Sequence, residues 1–382
     1  MGLSRGNRPL ALCAIILALA FALVATSRPA STADSSADDL MLPLMSADNV
    51  PGTALALIKG GQLVLAKGYG FRDLDTHAPV TTATLFNIGS ISKSFTALGI
   101  AQLVDAHRVD LDAPITRYIP ALRLSDPAAT KVMTLRQLLS HTSGLPADGQ
   151  WPPQVPPTRE GIVEEFANMP VTAPPGTRFQ YCSRCVVLAA SILERITGQS
   201  WESYTRTQIF EPLGMTTAAF GRRGLEQAPD SAQPYRHDAG LGDVAVSWSR
   251  LRYLEALGPG GGIDANIDDM ARYALLQLGD GASSGHRLVS AQMLAELHRP
   301  EIAVEDDWSP SARSDNLHYA LGWFTADIRG AHLVYHNGAN PGFRAAIFLV
   351  PSVEAGVVIL TNGESDRFVE TAVRSLLTQL LR

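Results

Sequence analysis

Phe86-Asn87-Ile88-Gly89-Ser90-Ile91-Ser92-Lys93-Ser94-Phe95-Thr96-Ala97 is the stretch on which the reading of this chain turns. Apolar residues recur at helical spacing from Phe95 to Ala106, so Ser90 and Lys93 fall at a loop-to-helix junction. A three-residue offset stacks them on one face about a turn apart, within hydrogen-bonding reach. A serine hydroxyl becomes a nucleophile when a neighbour takes its proton, and a lysine can do so only where its surroundings hold it neutral for part of the time. At a helix start the unpaired N–H groups and the positive dipole end also favour a developing oxyanion. The bare Ser-x-x-Lys pattern carries little alone, since a solvated helix face gives the same spacing. Ser92 is one residue from Lys93 and points elsewhere, to cap or to pack.

Outward from this stretch, Thr53–Ile58 and Gln62–Tyr69 are β-leaning runs joined by Lys59-Gly60-Gly61, a hairpin signal. From Asp110 to about Pro300 the sequence is mostly helical, clearest at Leu135–Leu139, Val186–Ile196 and Ile267–Leu278. Trp151–Pro157 is proline-rich and reads as a surface loop, and Gly260–Gly262 as a tight backbone turn. Strands return at Leu333–Tyr335, Arg344–Val350 and Gly356–Thr361, before an amphipathic helix over Arg367–Leu381. Neither terminal block has enough strands for a sheet of its own. The expected fold is therefore α/β (α+β): one antiparallel sheet from N- and C-terminal strands, flanked by helices, with a large helical insertion at about 110–300.

At 382 residues, 46% hydrophobic and 18% charged, the chain can bury a large core. Residues 1–33 carry Arg5, Arg8 and Arg28, no acid, and an apolar run from Leu10 to Ala25, which reads as a signal peptide and predicts a periplasmic or secreted protein. Cleavage after Ala33 fits, with Ser27 as a rival and an uncleaved membrane anchor as the alternative; Cys13 lacks the small residues that precede a lipidated cysteine. Residues 34–382 then form the functional domain. Removing the three arginines takes the formal charge from −6 to −9, with no basic stripe, which argues against a nucleic-acid partner. The remaining cysteines, Cys182 and Cys185, read as a short-loop disulfide or two buried thiols; thioredoxin-like redox chemistry and zinc binding lack their expected context.

Four further segments follow the first in order: Gln137-Leu138-Leu139-Ser140-His141-Thr142-Ser143-Gly144-Leu145; Phe179-Gln180-Tyr181-Cys182-Ser183 ahead of Glu194-Arg195-Ile196-Thr197-Gly198; Gly260-Gly261-Gly262-Ile263 with Asp268-Asp269-Met270-Ala271-Arg272-Tyr273; and His336-Asn337-Gly338-Ala339-Asn340-Pro341-Gly342-Phe343. Together they resemble the serine β-lactamase-related family, which includes class C β-lactamases, D-alanyl-D-alanine carboxypeptidases, D-amino-acid peptidases and some esterases. The likeness runs from about Pro43 to Leu381. It implies an acyl-enzyme on Ser90, with Lys93 as its first partner and Tyr181 as the second basic group, and no metal or organic cofactor. It also implies an oxyanion site from the N–H groups of Ser90 and of Ala339, on an edge strand after His336-Asn337-Gly338. His141 is expected behind the site as a structural residue.

Two departures bear on substrate. Many relatives have Tyr-x-Asn where this chain has Tyr181-Cys182-Ser183, and a serine cannot offer both the carbonyl and the amide donor of an asparagine. Class C enzymes have Lys-Thr-Gly where this chain has His336-Asn337-Gly338, so a substrate carboxylate would meet a cation only when His336 is protonated. A small ester or a D-amino-acid amide or peptide is expected to fit at least as well as a β-lactam, with cell-wall fragments among the candidate partners. The competing reading is a catalytically silent penicillin-binding-like protein that lodges peptidoglycan fragments in the cleft.

Overall fold

The computed structural model describes residues 1–2, 32–283, 285–305, 315–328 and 330–381. The predicted signal peptide lies almost wholly outside them. Helix α1 (Thr32–Asp48) leads into strands β1 (Gly52–Lys59), β2 (Gln62–Asp73) and β3 (Ala78–Pro79). Gly60 and Gly61 take φ of 57° and 69°, the left-handed pair that lets a two-residue hairpin follow the sheet twist. The remaining strands of this sheet are β4 (Ile302–Ala303), β5 (Asp315–Tyr319), β6 (Phe324–Ile328), β7 (Ala331–Asn340), β8 (Phe343–Val350) and β9 (Ala355–Thr361). They form a nine-stranded sheet in the order β4-β5-β6-β7-β8-β9-β1-β2-β3, antiparallel throughout.

The first strand is central because both its faces are buried. Leu55 stands opposite Ile359 of β9, and residues of β1 alternate between two cores. Ala54, Ala56 and Ile58 face the helical region with Ile347, Val358 and Leu360. Leu55 and Leu57 face the other way with Phe348 and Ile359, under α1 and the last helix, α5 (Asp366–Leu380), which contribute Met41, Met45 and Phe368. Each fully buried side chain of this size contributes about 1.5–3 kcal/mol relative to exposure.

The middle of the chain is mostly helix with short strand pairs, and three of its helices position the site. Helix α2 (Ser92–Asp105) is buried on nearly every face, as suits a helix enclosed by others. Helix α3 (Ser183–Thr197) and helix α4 (Leu254–Gly261) pack against it. The glycines at 260 and 261 thus end a helix, and Gly262 is its C-cap; the tight turn expected there is a helix terminus. Trp151–Pro157 is irregular as expected, but Trp151 itself is buried, its indole N–H donating to Pro146 O at 2.7 Å.

Candidate active site

Ser90 sits in a 3-10 turn, Gly89–Ile91, immediately before α2. Gly89 has φ 53°, and Asn87 Oδ1 accepts its N–H at 3.0 Å, fixing the bend that leaves Ser90 half-buried at the surface of the cleft. Ser92 is a packing residue: its hydroxyl donates to Gly89 O at 2.7 Å and accepts from Ile263 N at 3.0 Å. One turn beyond Ser90, Lys93 is fully buried. Its Nζ donates to Ser90 Oγ at 3.0 Å and to Gly260 O at 2.6 Å, a carbonyl at the C-terminal end of α4 where helix acceptors lack partners. Burial lowers the lysine to about 8, against a smaller opposing pull from the Asp148 carboxylate. A large part of Lys93 is therefore neutral in mildly alkaline solution, the condition for accepting a proton from Ser90.

Tyr181 lies on the extended segment entering α3, its ring 4.7 Å from Lys93 Nζ and 4.4 Å from the His141 ring. Its hydroxyl shares a hydrogen bond with Ser90, yet burial pushes the phenol above its ordinary range. Tyr181 is therefore a protonated hydroxyl here, suited to passing protons between Ser90 and a leaving group, and Lys93 is the better base. His141, with φ 59°, is buried behind it; its Nδ1 accepts from Cys182 N at 3.2 Å and burial depresses its proton affinity. Cys182 and Cys185 form a disulfide across the first turn of α3, with Cα atoms 5.3 Å apart.

Ser183 does not project into open space. Its Oγ–H donates to Asp148 Oδ2 at 2.6 Å and its N–H to Asp148 Oδ1 at 2.7 Å, while Asp148 N donates to Tyr181 O at 2.8 Å. No sequence pattern marks Asp148, which opens a short 3-10 turn, Asp148–Gln150, thirty-five positions before its partner. A cavity of about 230 Å³ opens beside this turn, lined by Ala147, Gln150, Arg178 and Tyr181 among others.

Strand β7 brings the last candidates. It lies inside the sheet and is not an edge strand, but β6 pairs with it only from Ala331 to Tyr335, so His336–Asn340 has an open side towards the nucleophile turn. Gly338 makes the approach possible, since a Cβ there would stand 1.9 Å from Ile88 O. Ala339 is exposed, with its N only 2.6 Å from where a Cβ on Gly89 would lie. Asn340 Nδ2 donates to Gly261 O at 2.9 Å and to Asn87 Oδ1, tying the strand end to both walls of the cleft. The histidine corrects the sequence expectation. His336 is 1% exposed; its Nδ1–H donates to Asn337 O at 2.7 Å and its Nε2 accepts from Tyr319 O–H at 3.0 Å. Burial, reinforced by Lys93, lowers it to about 3, so it is a neutral imidazole and offers no cation to a carboxylate.

A serine, a buried lysine and a tyrosine gathered where a helical region meets an antiparallel sheet define a protein of the active-serine acyl-transfer class. The Beta-lactamase family model matches residues 37–380, and the chain belongs to that family. It is 31% identical to "Penicillin-binding protein 4" of Amycolatopsis lactamdurans, across 88% of this chain and 87% of that one. It is 25% identical to "Protein flp" of Staphylococcus aureus, of which it spans 64%. Among solved structures, the octameric penicillin-binding protein homologue from Pyrococcus abyssi superposes with a TM-score of 0.77 at 28% identity, across 90% of this chain and 77% of that one. The penicillin-binding protein from Bacillus halodurans, at 23% identity, shares the fold with a TM-score of 0.72, across 89% of this chain and 99% of that one.

Proposed function

We propose that this protein is an exported serine hydrolase that works through an acyl-enzyme on small esters or D-amino-acid amides and peptides, in preference to β-lactams. The observation that carries the reading is Lys93 Nζ at 3.0 Å from Ser90 Oγ, buried and part-neutral near pH 8. As Ser90 Oγ attacks the substrate carbonyl, its proton passes to Lys93 and the new oxyanion lies between the N–H groups of Ser90 and Ala339. When the carbonyl re-forms, the leaving group departs with that proton, relayed by the Tyr181 hydroxyl. Water then attacks the acyl carbon, gives its proton to the same groups, and releases the acid and free Ser90.

The preference against β-lactams follows from the walls of the cleft. A neutral His336 supplies no charge for the carboxylate of a penicillin or cephalosporin, and Ser183 has committed its hydroxyl to Asp148. Export rests on the basic and apolar character of residues 1–33 alone. No helix among the described residues is long and apolar enough to cross a membrane.

A fluorophosphonate probe should label the wild-type protein covalently and fail on Ser90→Ala, which removes one oxygen and keeps the fold. An acyl adduct on the Ser90→Ala protein would overturn the nucleophile. On a panel of short acyl esters, D-alanyl peptides and a chromogenic cephalosporin, kcat/KM should be lowest for the cephalosporin; a cephalosporin turned over faster than every other substrate would overturn the preference.

A further inference from the structure

The two oxyanion donors belong to separate pieces of chain: Ser90 N to the nucleophile turn, Ala339 N to the open-sided end of β7. Their spacing must hold to within about half an ångström if both are to reach one oxygen. Contact sets the lower limit, since Gly338 already lies against Ile88 O and leaves no room for a Cβ. The upper limit comes from a single side chain. Asn87 Oδ1 accepts the N–H of Gly89 at 3.0 Å, from the nucleophile turn, and an Nδ2–H of Asn340 at 2.5 Å, from the end of β7.

Asn87 is anchored in turn. It stands in the short strand Phe86–Asn87, paired with Ile263–Ala265 so that Asp264 is directly opposite. Its Nδ2 donates to Ile263 O at 3.2 Å and to Asp264 Oδ1 at 2.8 Å, so the amide makes all four hydrogen bonds open to it. Turned over, it would set its carbonyl against that of Ile263. Asp264 is wholly buried, and burial holds its carboxyl well above the ordinary range, in the neutral acid form. Its Oδ2 has no hydrogen-bond partner among the described residues. A buried polar atom without a partner costs stability, and no step of acyl transfer uses this carboxyl. The side chain it does bond is Asn87.

We infer that Asn87 and Asp264 are positioning residues of the oxyanion site: Asn87 spans the nucleophile turn and the end of β7 through one carbonyl oxygen, and Asp264 takes its amide N–H and keeps that oxygen aimed at both. The inference rests on the hydrolase reading and deepens it. A substrate carbonyl needs the two donors less than the tetrahedral oxyanion does, so losing the span should lower kcat and leave KM nearly as it is. A residue that merely braced the fold would lower the urea midpoint without that split.

The test measures kcat and KM of the full chain for a short neutral ester, and the affinity of phenylboronic acid, whose tetrahedral adduct on Ser90 would place an oxygen in the same site. In Asn87→Ala, kcat should fall roughly 10- to 100-fold, KM should stay within about threefold, and the boronate should weaken in step with kcat/KM. Asn340→Asp, at a half-buried position, keeps the acceptor for Tyr253 O–H but sets an oxygen against Asn87 Oδ1. It should show the same split, so the inference does not depend on one buried variant folding. Asp264→Leu should follow in smaller measure, and Asp264→Asn, which keeps a neutral acceptor oxygen, should lose less than Asp264→Leu. In the Asn87→Ala background, Asn340→Ala should lower kcat less than it does alone, because the bond is already gone. Native kcat and boronate affinity in either Asn87→Ala or Asn340→Asp, or losses from Asn87→Ala and Asn340→Ala that simply multiply, overturn the inference; native kcat in Asp264→Leu removes Asp264 from it. If the wild-type protein neither turns over the ester nor takes the boronate, the hydrolase reading falls. The span is then judged by urea unfolding: less-than-additive losses from Asn87→Ala and Asn340→Ala uphold it, and additive losses overturn it.

Discussion

At the scale of the residue, the chemistry depends on which group is neutral. Lys93, lowered to about 8 by burial, must lose its proton to act, so kcat/KM for an uncharged ester should rise with pH through that value and level off above it. His336, at about 3, should contribute no inflection between pH 5 and 8, and His336→Asn should leave the position of the rise where it is. A pH–rate profile of the two proteins decides the matter; a rise centred near 6.5 that vanishes in His336→Asn would return the histidine to the site as a titrating group. The three central residues were legible in the sequence because Ser90 and Lys93 are joined by local helical geometry and Tyr181 stands in a recognisable segment. The protonation of His336 was not, because burial is a property of the packed strand and leaves no mark on the letters. Asp148 was not, because its meaning comes only from a loop laid against the start of a helix.

Elements set the reach of these groups. The N- and C-terminal strands were readable from their alternation and the Gly60-Gly61 turn, and they join in one sheet as expected. What the pattern could not give was the length of β7, which extends five residues beyond the apolar Leu333–Tyr335, through polar and glycine positions. Those residues extend as strand because β8 pairs with them as far as Asn340, opposite Phe343, and because Asn340 is tied to Gly261. The glycine run at 260–262 reads as a turn, since glycine disfavours a helix interior; packing of α4 against α2 and Ser183 overrides that preference, and Gly260 and Gly261 close the helix. Gly338 is where this assembly is least tolerant. Alanine there must push β7 away from Ile88, widening the gap between Ala339 and Ser90, so Gly338→Ala should lose roughly 100-fold in kcat through a displaced oxyanion donor. Steady-state kinetics beside a circular-dichroism spectrum checks this, and a variant with native kcat would mean the strand has room to spare.

For the molecule as a whole, buried histidines impose a pH dependence on stability. His298 and His336 are both held near 3 by burial, whereas an unfolded chain binds those protons near 6.5. Below about pH 6.5 the unfolded state therefore takes up protons that the native state refuses, and stability falls as pH falls towards 3, by about 1.4 kcal/mol per unit for each histidine. The urea midpoint should drop between pH 6.5 and 5, above the range in which Glu296, held near 2 by Arg299 and Arg136, begins to contribute its own loss. His141, buried and held well below its ordinary range, adds to the same loss, so His298→Gln should remove about a third of that drop; a midpoint flat from pH 7 to 5 would contradict the buried neutral imidazoles. The pairing of β1 with β9 has a further consequence, for time. Thr53 Oγ1 donates to Leu360 O across 307 positions, so the sheet closes only after ends far apart in the chain have met, a slow search. The nucleophile turn follows β1 and β2 early in the chain, but Ala339 reaches it only when β7 to β9 have docked. Maturation and activation are then one event: a half-made or refolding chain carries a serine with nowhere to put an oxyanion. During refolding from urea, probe labelling should lag behind the recovery of helix signal, and the newborn protein stays chemically quiet until its final strands are home.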